Sequence, residues 1–541
     1  MTERPFGGLG RLLAVACGLA LASILFADTP PPEPAEVTDT PVAAGAAGEA
    51  AGNDGAAEAA AEPAWQPEIP RTWDDEAMAT LDVPLADPAA TPKHVSAEWY
   101  ESIPEMRIFK SYPVYHPDHE PEGYMEWLAE QEPELSFEVD KLHTKEDWIA
   151  AGEVVFNAPL VYNALNNPDI VRNRDWYEET GVPVAADGTV PFFGYFIEEK
   201  GTIYLGEFSC GACHSRVMDD GSVIQGAQGN YPIGRLDGLM QQRRADRAED
   251  KDAYLERLKR YTRAPYGAPW LGENDPQVRY GELTLEETVR ADLAIPAGVQ
   301  PRFGTSAFHP VQVPDLIGLE HRRYFDRTGH LQHRSIGDLM RYAALNQGMS
   351  FYDSYGDFIP TGSLPETKDL ERYSDAQLYA LGLFLYSLEP PENPNKWSDQ
   401  AERGKLVFER ENCWRCHKPP LYTNNRLTPV DGWEPADDHP QRLDILPLSV
   451  GTDPGLALYT RRGTGMYKVP SLLGVWYRGP FQHSGAVATL EDWFDPKRLE
   501  DDYVPTGFKG LREKGPVPGH RFGLDLSPED KEALIAFLKT L

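Results

Sequence analysis

Apolar residues recur at helical spacing in two stretches of the chain, SDAQLYALGLFLYSL from Ser374 and SPEDKEALIAFLKTL from Ser527, each opening on a serine suited to cap a helix. Both are predicted helices. Earlier in each half stands a shorter glycine-bearing apolar run, AAGEVVF (Ala150 to Phe156) and ERGKLVF (Glu402 to Phe408). A third segment also repeats, VPDLIGLEHRRYF (Val313 to Phe325) against VPSLLGVWYRGPF (Val469 to Phe481). Similar elements in one order make an internal repeat, which predicts two related domains. The first unit is lengthened by an insertion before Cys210 that ends in PFFGYFIEEKGTIYLGEF, two aromatic runs around Glu-Glu-Lys-Gly. That pattern reads as a β-hairpin.

The N-terminal pattern is different. Arg4 and Arg11 precede an apolar run from Leu12 to Ala27, followed by a Pro-rich exit, the layout of a secretory signal over residues 1–27. The run is too short for a confident membrane span. Residues 28–69 are mostly Ala, Glu, Pro and Gly and read as a disordered linker. The rest divides into residues 70–395 and 396–541, one repeat unit in each. Residues 71–145 are rich in Trp, Tyr, Pro and Glu without an interpretable motif, and are expected to pack over the first unit as a lid or support.

Each unit carries one Cys-x-x-Cys-His run between its short apolar run and its third segment, Cys210, Cys213, His214 and then Cys413, Cys416, His417. Covalent attachment of a c-type haem needs this spacing: two thiols close on the vinyl groups as thioethers, and the adjacent imidazole is left pointing at the iron. Two covalently bound haem c groups are therefore expected. A structural zinc site built from two Cys-x-x-Cys halves leaves both histidines unexplained. A thioredoxin-like dithiol lacks the βαβ pattern around it. Haem attachment of this kind occurs outside the cytoplasm, so a periplasmic or secreted location is expected. The fifth cysteine, Cys17, either leaves with the signal or anchors the chain through a lipid.

With 85 acidic against 51 basic residues the net charge is −34. Such a field repels nucleic acid and anionic membrane surfaces. It suits a neutral small-molecule oxidant or substrate, or a basic redox partner protein. No stable membrane insertion is expected once the signal is removed.

A glycine-bearing helix before the motif and an apolar helix at the end resemble the pair that cross over the haem edge in small c-type cytochromes. The expected fold is mainly α, two c-type cytochrome domains in tandem with loop-rich and short β-hairpin insertions. Small cytochromes of this kind bring the distal iron ligand from a loop before the closing helix, and here that loop reads PVPGHRFGLDLSPED. His520, with Gly519 and Gly523 to let the backbone bend, stands seven residues before Ser527, and Thr367 holds the same offset before Ser374. The second haem is thus expected to lie between His417 and His520, with Met466 and His483 as the other candidates. The first is expected to be open, with His309, His321, His330 and His333 the residues able to close it. Arg327 holds the repeat position of His483. It would polarise an oxygen species bound at the first haem, or else pair with Asp326 or Asp338.

The run MYKVPSLLGVWYRGPFQHSGAVATLEDW resembles the bacterial dihaem cytochrome c peroxidase superfamily, which includes the dihaem enzyme that matures methylamine dehydrogenase and the dihaem rubber oxygenases. The resemblance covers roughly Trp148 to Leu541. It implies two c-type haems, the reactive one in the N-terminal domain, exchanging electrons. His483 falls on the family's His-x-Gly histidine, and Tyr324-Phe325-Asp326 fall on its Phe-Trp-Asp-Gly-Arg segment. The departures carry information. Phe325 replaces the oxidisable tryptophan between the haems, and Asn230 stands where the peroxidases place a distal histidine after the first motif. Lys497 stands where they carry the methionine of the second haem; His520 fills that vacancy, as histidines do in the rubber oxygenases. The neighbourhood of the distal acid offers Asn346 and Gln347, with no acid before Asp353. An acid there would take a proton from peroxide, so its replacement weakens the case for ordinary peroxidase activity.

Two readings of different class follow. In the first, the chain is an oxidoreductase whose first haem binds peroxide or dioxygen, with Arg327, Phe325 and Asn230 around it, while the second stores or relays electrons. In the second it is a non-catalytic dihaem electron carrier.

Overall fold

The computed structural model describes residues 65–161 and 168–541. The signal run, Cys17 and most of the linker lie outside the described residues. The fold is mainly α with small sheets, and none of its described helices is long and apolar enough to cross a membrane.

Six helices frame the site: α1 (Lys145–Asn157), α2 (Cys210–His214), α3 (Ile336–Asn346), α4 (Asp375–Ser387), α5 (Asp399–Arg410) and α6 (Pro528–Lys539). The serines anticipated as caps are caps. Ser374 accepts from the Gln377 amide and Ser527 from the Asp530 amide, each satisfying one of the amides a helix start leaves without a partner. Thr144 and Asp147 close a reciprocal capping box on α1.

The helices pack as two equivalent crossed pairs. In α1 against α4, Gly152 sits directly on the Ala380 carbonyl and the Phe384 side chain. In α5 against α6, Gly404 sits on the Ala533 carbonyl and Phe537. A side chain at either glycine would run into backbone, so only the residue without a β carbon lets the axes approach this closely. One turn later Phe156 meets Phe384 at 5.2 Å between ring centres, and Phe408 meets Phe537 at 5.4 Å. The repeat read from the sequence is thus a repeat of contacts. The first pair lies in a core with Phe325, Leu339 and Phe351, the second in a separate core with Val475, Leu490 and Phe494.

The expected hairpin is present inside a larger sheet. Strands β1 (Ser111–Tyr115), β2 (Leu160–Val161), β3 (Thr189–Glu199) and β4 (Thr202–Glu207) run antiparallel in the order β1-β3-β4-β2. The turn between β3 and β4 is Lys200-Gly201. Val190, Phe192, Ile197 and Leu205 are buried against Trp176, Tyr231 and the Ala212-Cys213 step of α2. The sheet therefore backs the first motif.

Residues 65–143 are woven into the first core. Trp73, Leu81, Tyr100 and Ile103 are buried together with Trp148, Phe156 and Phe384. Trp73 stacks on Tyr100 at 4.4 Å, and its indole N–H donates to the Val95 carbonyl at 2.8 Å. A buried indole needs such a partner, and its satisfaction marks this segment as structural support for the first unit.

Candidate functional site

The second motif opens on a cavity of about 250 Å³. Cys413, Cys416 and His417 stand on one wall and His520 on another, with Phe408, Leu472, Val475, Phe481, Leu490 and Phe494 supplying an apolar lining. Neither cysteine is in a disulfide. The His417 and His520 rings face each other with centres 6.4 Å apart. Two metal–nitrogen bonds of about 2 Å and two imidazole half-widths add to roughly that separation. His417 Nδ1 donates to the Tyr422 carbonyl at 3.2 Å, which leaves Nε2 as its ligating atom. Burial drives the His417 pKa down to about 4 and that of His520 to about 3, the neighbouring His417 adding to the second shift. Both rings are therefore neutral, the form that binds a metal.

The loop that presents His520 is held by a guanidinium. Arg498 is 1% exposed and donates to the carbonyls of Trp493 (2.9 Å), Val517 (2.7 Å), Gly519 (2.9 Å) and His520 (2.8 Å). His520 itself has φ 45°, a left-handed conformation that costs a residue with a β carbon about 1–2 kcal/mol. Its amide is tied to the Val450 carbonyl at 2.7 Å. A β carbon on Gly519 would strike the Thr452 backbone, which explains the glycine beside the histidine. Strain maintained by surrounding contacts is the usual mark of a functional position.

Two half-buried cations complete this cavity. Lys468 donates to the Tyr324 carbonyl at 3.1 Å, and Arg327 to the carbonyls of Gln312 (3.4 Å) and Val313 (3.5 Å). Among the described residues neither has a carboxylate within ion-pair distance. Burial, with Arg478 and Arg322 nearby, lowers Arg327 to about 9, and burial depresses Lys468 well below an ordinary lysine. Half-buried cations with no carboxylate in contact, beside an apolar cavity, suit an anion. A haem carries two propionates on an apolar macrocycle, so this donor set fits the group on both counts.

At the first motif, α2 carries Cys210, Cys213 and His214 on one short helix capped by Ser209. His214 Nδ1 donates to the Pro314 carbonyl at 3.0 Å. Pro314 begins the same repeat segment as Pro470, whose carbonyl also lies against His417. Burial moves His214 down to about 4, opposed by that hydrogen bond and assisted by the charge of Arg302. The equivalence extends to Arg322, which donates to the carbonyls of Asp315 and Ile317, and its counterpart Arg478, which donates to Ser471 at 2.8 Å.

Around the cysteines of this motif stand polar groups. Gln300 Oε1 is 3.5 Å from Cys213 Sγ and Gln347 Nε2 is 3.6 Å from Cys210 Sγ. Arg302 donates to Asn346 and, at 3.3 Å, to the Tyr342 hydroxyl, and it pairs with Asp326 at 3.1 Å. Arg462 joins from the second unit, donating to Asn346 at 3.2 Å and to Asp326 at 3.3 Å. Burial alone would raise the Asp326 carboxyl, yet Arg302, His330 and Arg462 hold it well below the usual range.

Two of the four histidines considered as ligands for the first motif, His309 and His333, are hydrogen-bonded to other groups. His333 has both nitrogens engaged, at 2.6 Å to the Arg322 carbonyl and 2.6 Å to the Tyr386 hydroxyl. His309 Nε2 accepts from Arg279 at 2.9 Å, His330 Nδ1 lies 3.3 Å from Asp326, and His321 is exposed. Of the other candidates at the second motif, Met466 is buried in a core with Tyr324 and Leu427. His483 lines the second cavity, stacked on Tyr467 at 4.3 Å. Lys497 and Thr367 sit outside both sites, Lys497 exposed and Thr367 accepting from Ser102 at 3.1 Å.

The residues expected around the first haem are distributed differently. Arg327 lies between the two motifs: it lines the cavity of the second while donating to Val313, next to the Pro314 carbonyl that holds His214. Phe325 is buried and stacked flat on Tyr342, 4.5 Å between centres and 1° between planes, with His333 also 4.5 Å away. Asn230 braces backbone, accepting from the Val217 amide at 3.0 Å and donating to the Val217 carbonyl at 2.7 Å. Sequence reasoning passed over Arg302, Arg462, Lys468 and Arg498. The last stands beside Lys497, the residue that the resemblance singled out.

No family model matches this chain, and no curated protein does. Among solved structures it is similar to a hydrazine synthase of Kuenenia stuttgartiensis, with a TM-score of 0.28 and 15% identity over 51% of this chain and 90% of that one. It is also similar to a MauG-like protein associated with microbial copper homeostasis, with a TM-score of 0.21 and 21% identity over 31% of this chain and 56% of that one.

Proposed function

We propose that the chain is an extracytoplasmic dihaem c-type cytochrome oxidoreductase, made of two cytochrome domains in tandem and related to the dihaem cytochrome c peroxidase superfamily. The observation that carries this reading is the asymmetry between the motifs. His417 faces His520 across an apolar cavity. His214 instead shares its surroundings with Arg302 and Asn346, and His309 and His333 are hydrogen-bonded to other groups.

A haem iron closed on both sides passes electrons, and one left open also takes up peroxide or dioxygen. The chain's own residues would divide the work accordingly. Cys413 and Cys416 would hold the second haem, His417 and His520 would supply its two imidazole ligands, and Arg327 and Lys468 would neutralise its propionates. Cys210, Cys213 and His214 would hold the first haem. The amides of Asn346 and Gln347 and the guanidinium of Arg302, near this motif, would orient a small polar oxidant through hydrogen bonds, with no carboxylate of their own. Arg327, between the two motifs, keeps positive charge beside the path an electron takes from one site to the other. A redox partner protein supplies electrons or removes them, and the substrate is a small molecule.

Mass spectrometry of the mature chain after denaturation tests the cofactor content. Two haem masses retained per chain are expected, falling to one in a Cys413→Ala/Cys416→Ala variant and, separately, in Cys210→Ala/Cys213→Ala. A chain that loses all haem on denaturation contradicts the reading.

A further inference from the structure

Residues 65–143 have a role beyond packing. His94, from this segment, is buried with a carboxylate on each ring nitrogen: Nε2 is 2.7 Å from Asp82, and Nδ1 is 3.0 Å from Asp353. An imidazole donates from both nitrogens only as the imidazolium. Burial alone would lower its pKa, but the Asp353 and Asp82 carboxylates reverse that and hold it well above the ordinary value. Asp353 is itself raised by burial, with His94 opposing the shift.

This cluster does not end in apolar core. Asp82, His94 and Asp353 line a small cavity of about 20 Å³ whose other walls carry His330, Tyr342, Asn346, Tyr355, Arg461 and Arg462. A polar space of at least about 10–15 Å³ holds one water. Asn346, across that space, accepts from Arg302, whose charge reaches His214. Its neighbour Gln347 reaches the Cys210 sulfur at 3.6 Å. The cavity thus has room for one water between His94 and Asp353 on one wall and Asn346, which borders the first motif, on another. That motif's own neighbourhood offers Asn346 and Gln347 and no free acid, so the proton chemistry a peroxide or dioxygen site needs must come from further back.

Resting on the reading of the first motif as the reactive site, we propose that His94 and Asp353 are its proton relay. One proton moves from His94 Nδ1 to the Asp353 carboxylate, from Asp353 to a water in the cavity, and from that water to an oxygen of the small oxidant as it is reduced; Asn346, whose oxygen already accepts from Arg302 and Arg462, orients the water and carries no proton. The imidazole keeps its Nε2–H to Asp82, and its Nδ1 proton is restored from solvent, so that one proton is taken up for each one delivered. The relay itself moves no electron. His94 touches no substrate and acts through Asp353 and the water. The groups facing His94 are the anions Asp82 and Asp353, and across the cavity lie Arg461, Arg462, His330, Tyr342 and Tyr355.

The test compares the full-length holoprotein with His94→Gln and Asp353→Asn, each keeping a hydrogen-bonding amide in place of a titrating group. Two quantities are read from neutral to alkaline pH: the rate of hydrogen peroxide consumption with a reducing mediator, and the protons taken up on electrochemical reduction with dioxygen present, followed with an indicator dye. The wild type should show an alkaline fall in rate as His94 loses its proton, and proton uptake over the same range. Both features should be lost in each variant, with a neutral-pH rate at least about tenfold lower. Variants that keep the wild-type pH profile and proton uptake overturn the relay. A wild type that takes up the proton yet consumes no peroxide, beside variants that do not take it up, upholds the relay and contradicts the peroxide reading. If one variant fails to fold, the other decides.

Discussion

Arg498 donates 2.8 Å to the backbone carbonyl of His520, in the same guanidinium fan that holds Gly519, Val517 and Trp493. One buried side chain thus fixes the loop whose histidine faces His417. Arg498→Ala leaves these carbonyls without their donor, each worth on the order of 1 kcal/mol or more. The variant should be less stable by about 3 kcal/mol or more. It should also convert the second haem from low-spin to high-spin or mixed, and Arg498→Lys, with one ammonium in place of the fan, should lie between. An Arg498→Ala protein with an unchanged low-spin signal would show that the loop holds its histidine without the clamp.

The equivalent glycines are the next point of test. Gly404→Ala places a methyl group against the Ala533 carbonyl, and Gly152→Ala against that of Ala380. Since the obstacle is backbone, the helices must separate, and a cost of at least about 3 kcal/mol is expected, at or above the top of the range for overpacking. Thermal unfolding of each variant reads this out. A melting temperature within a degree or two of wild type would mean that the crossings are looser than their contacts indicate.

Glu207, at the end of β4, is buried, and burial pushes it up to about 8 although the Tyr231 hydroxyl donates to it at 3.1 Å. In the unfolded chain a glutamate titrates near 4.3. The folded protein therefore binds a proton that the unfolded chain has lost. This contribution to stability is full below about pH 4.3 and disappears as pH rises through about 8. Glu207→Gln should flatten that decline, with the wild type losing on the order of a few kcal/mol between about pH 5 and pH 9 and the variant distinctly less. Denaturant titrations at both pH values check it; equal losses in the two proteins would assign the decline to other groups.

Local chemistry was legible in the sequence and long-range chemistry was not. The Cys-x-x-Cys-His runs, the serine caps at Ser374 and Ser527 and the Lys200-Gly201 turn are set by neighbours a few residues apart. His520 was singled out because an internal repeat allowed one half to be compared with the other; in the fold its ring faces His417, whereas Thr367 at the matching offset accepts from Ser102. Arg327 could be aligned with His483, but only the folded chain shows that both residues line the cavity of the second motif. His94 meets Asp353 across 259 positions, and Arg302 meets Asn346 across 44. No periodicity encodes such pairs, because each partner reads alone as an ordinary polar residue. Arg498 is hidden for another reason: in the sequence it is one of several charges in a polar stretch, and only its burial against four carbonyls gives it a role.

The central claim is one closed and one open haem on the same chain. Electron paramagnetic resonance of the oxidised protein, followed by reduction and addition of carbon monoxide, tests it most directly. One low-spin ferric centre belonging to His417 and His520, one high-spin centre at His214, and carbon monoxide bound at one haem per chain are the predicted result. Two low-spin centres, neither perturbed by carbon monoxide, would contradict it and leave an electron carrier.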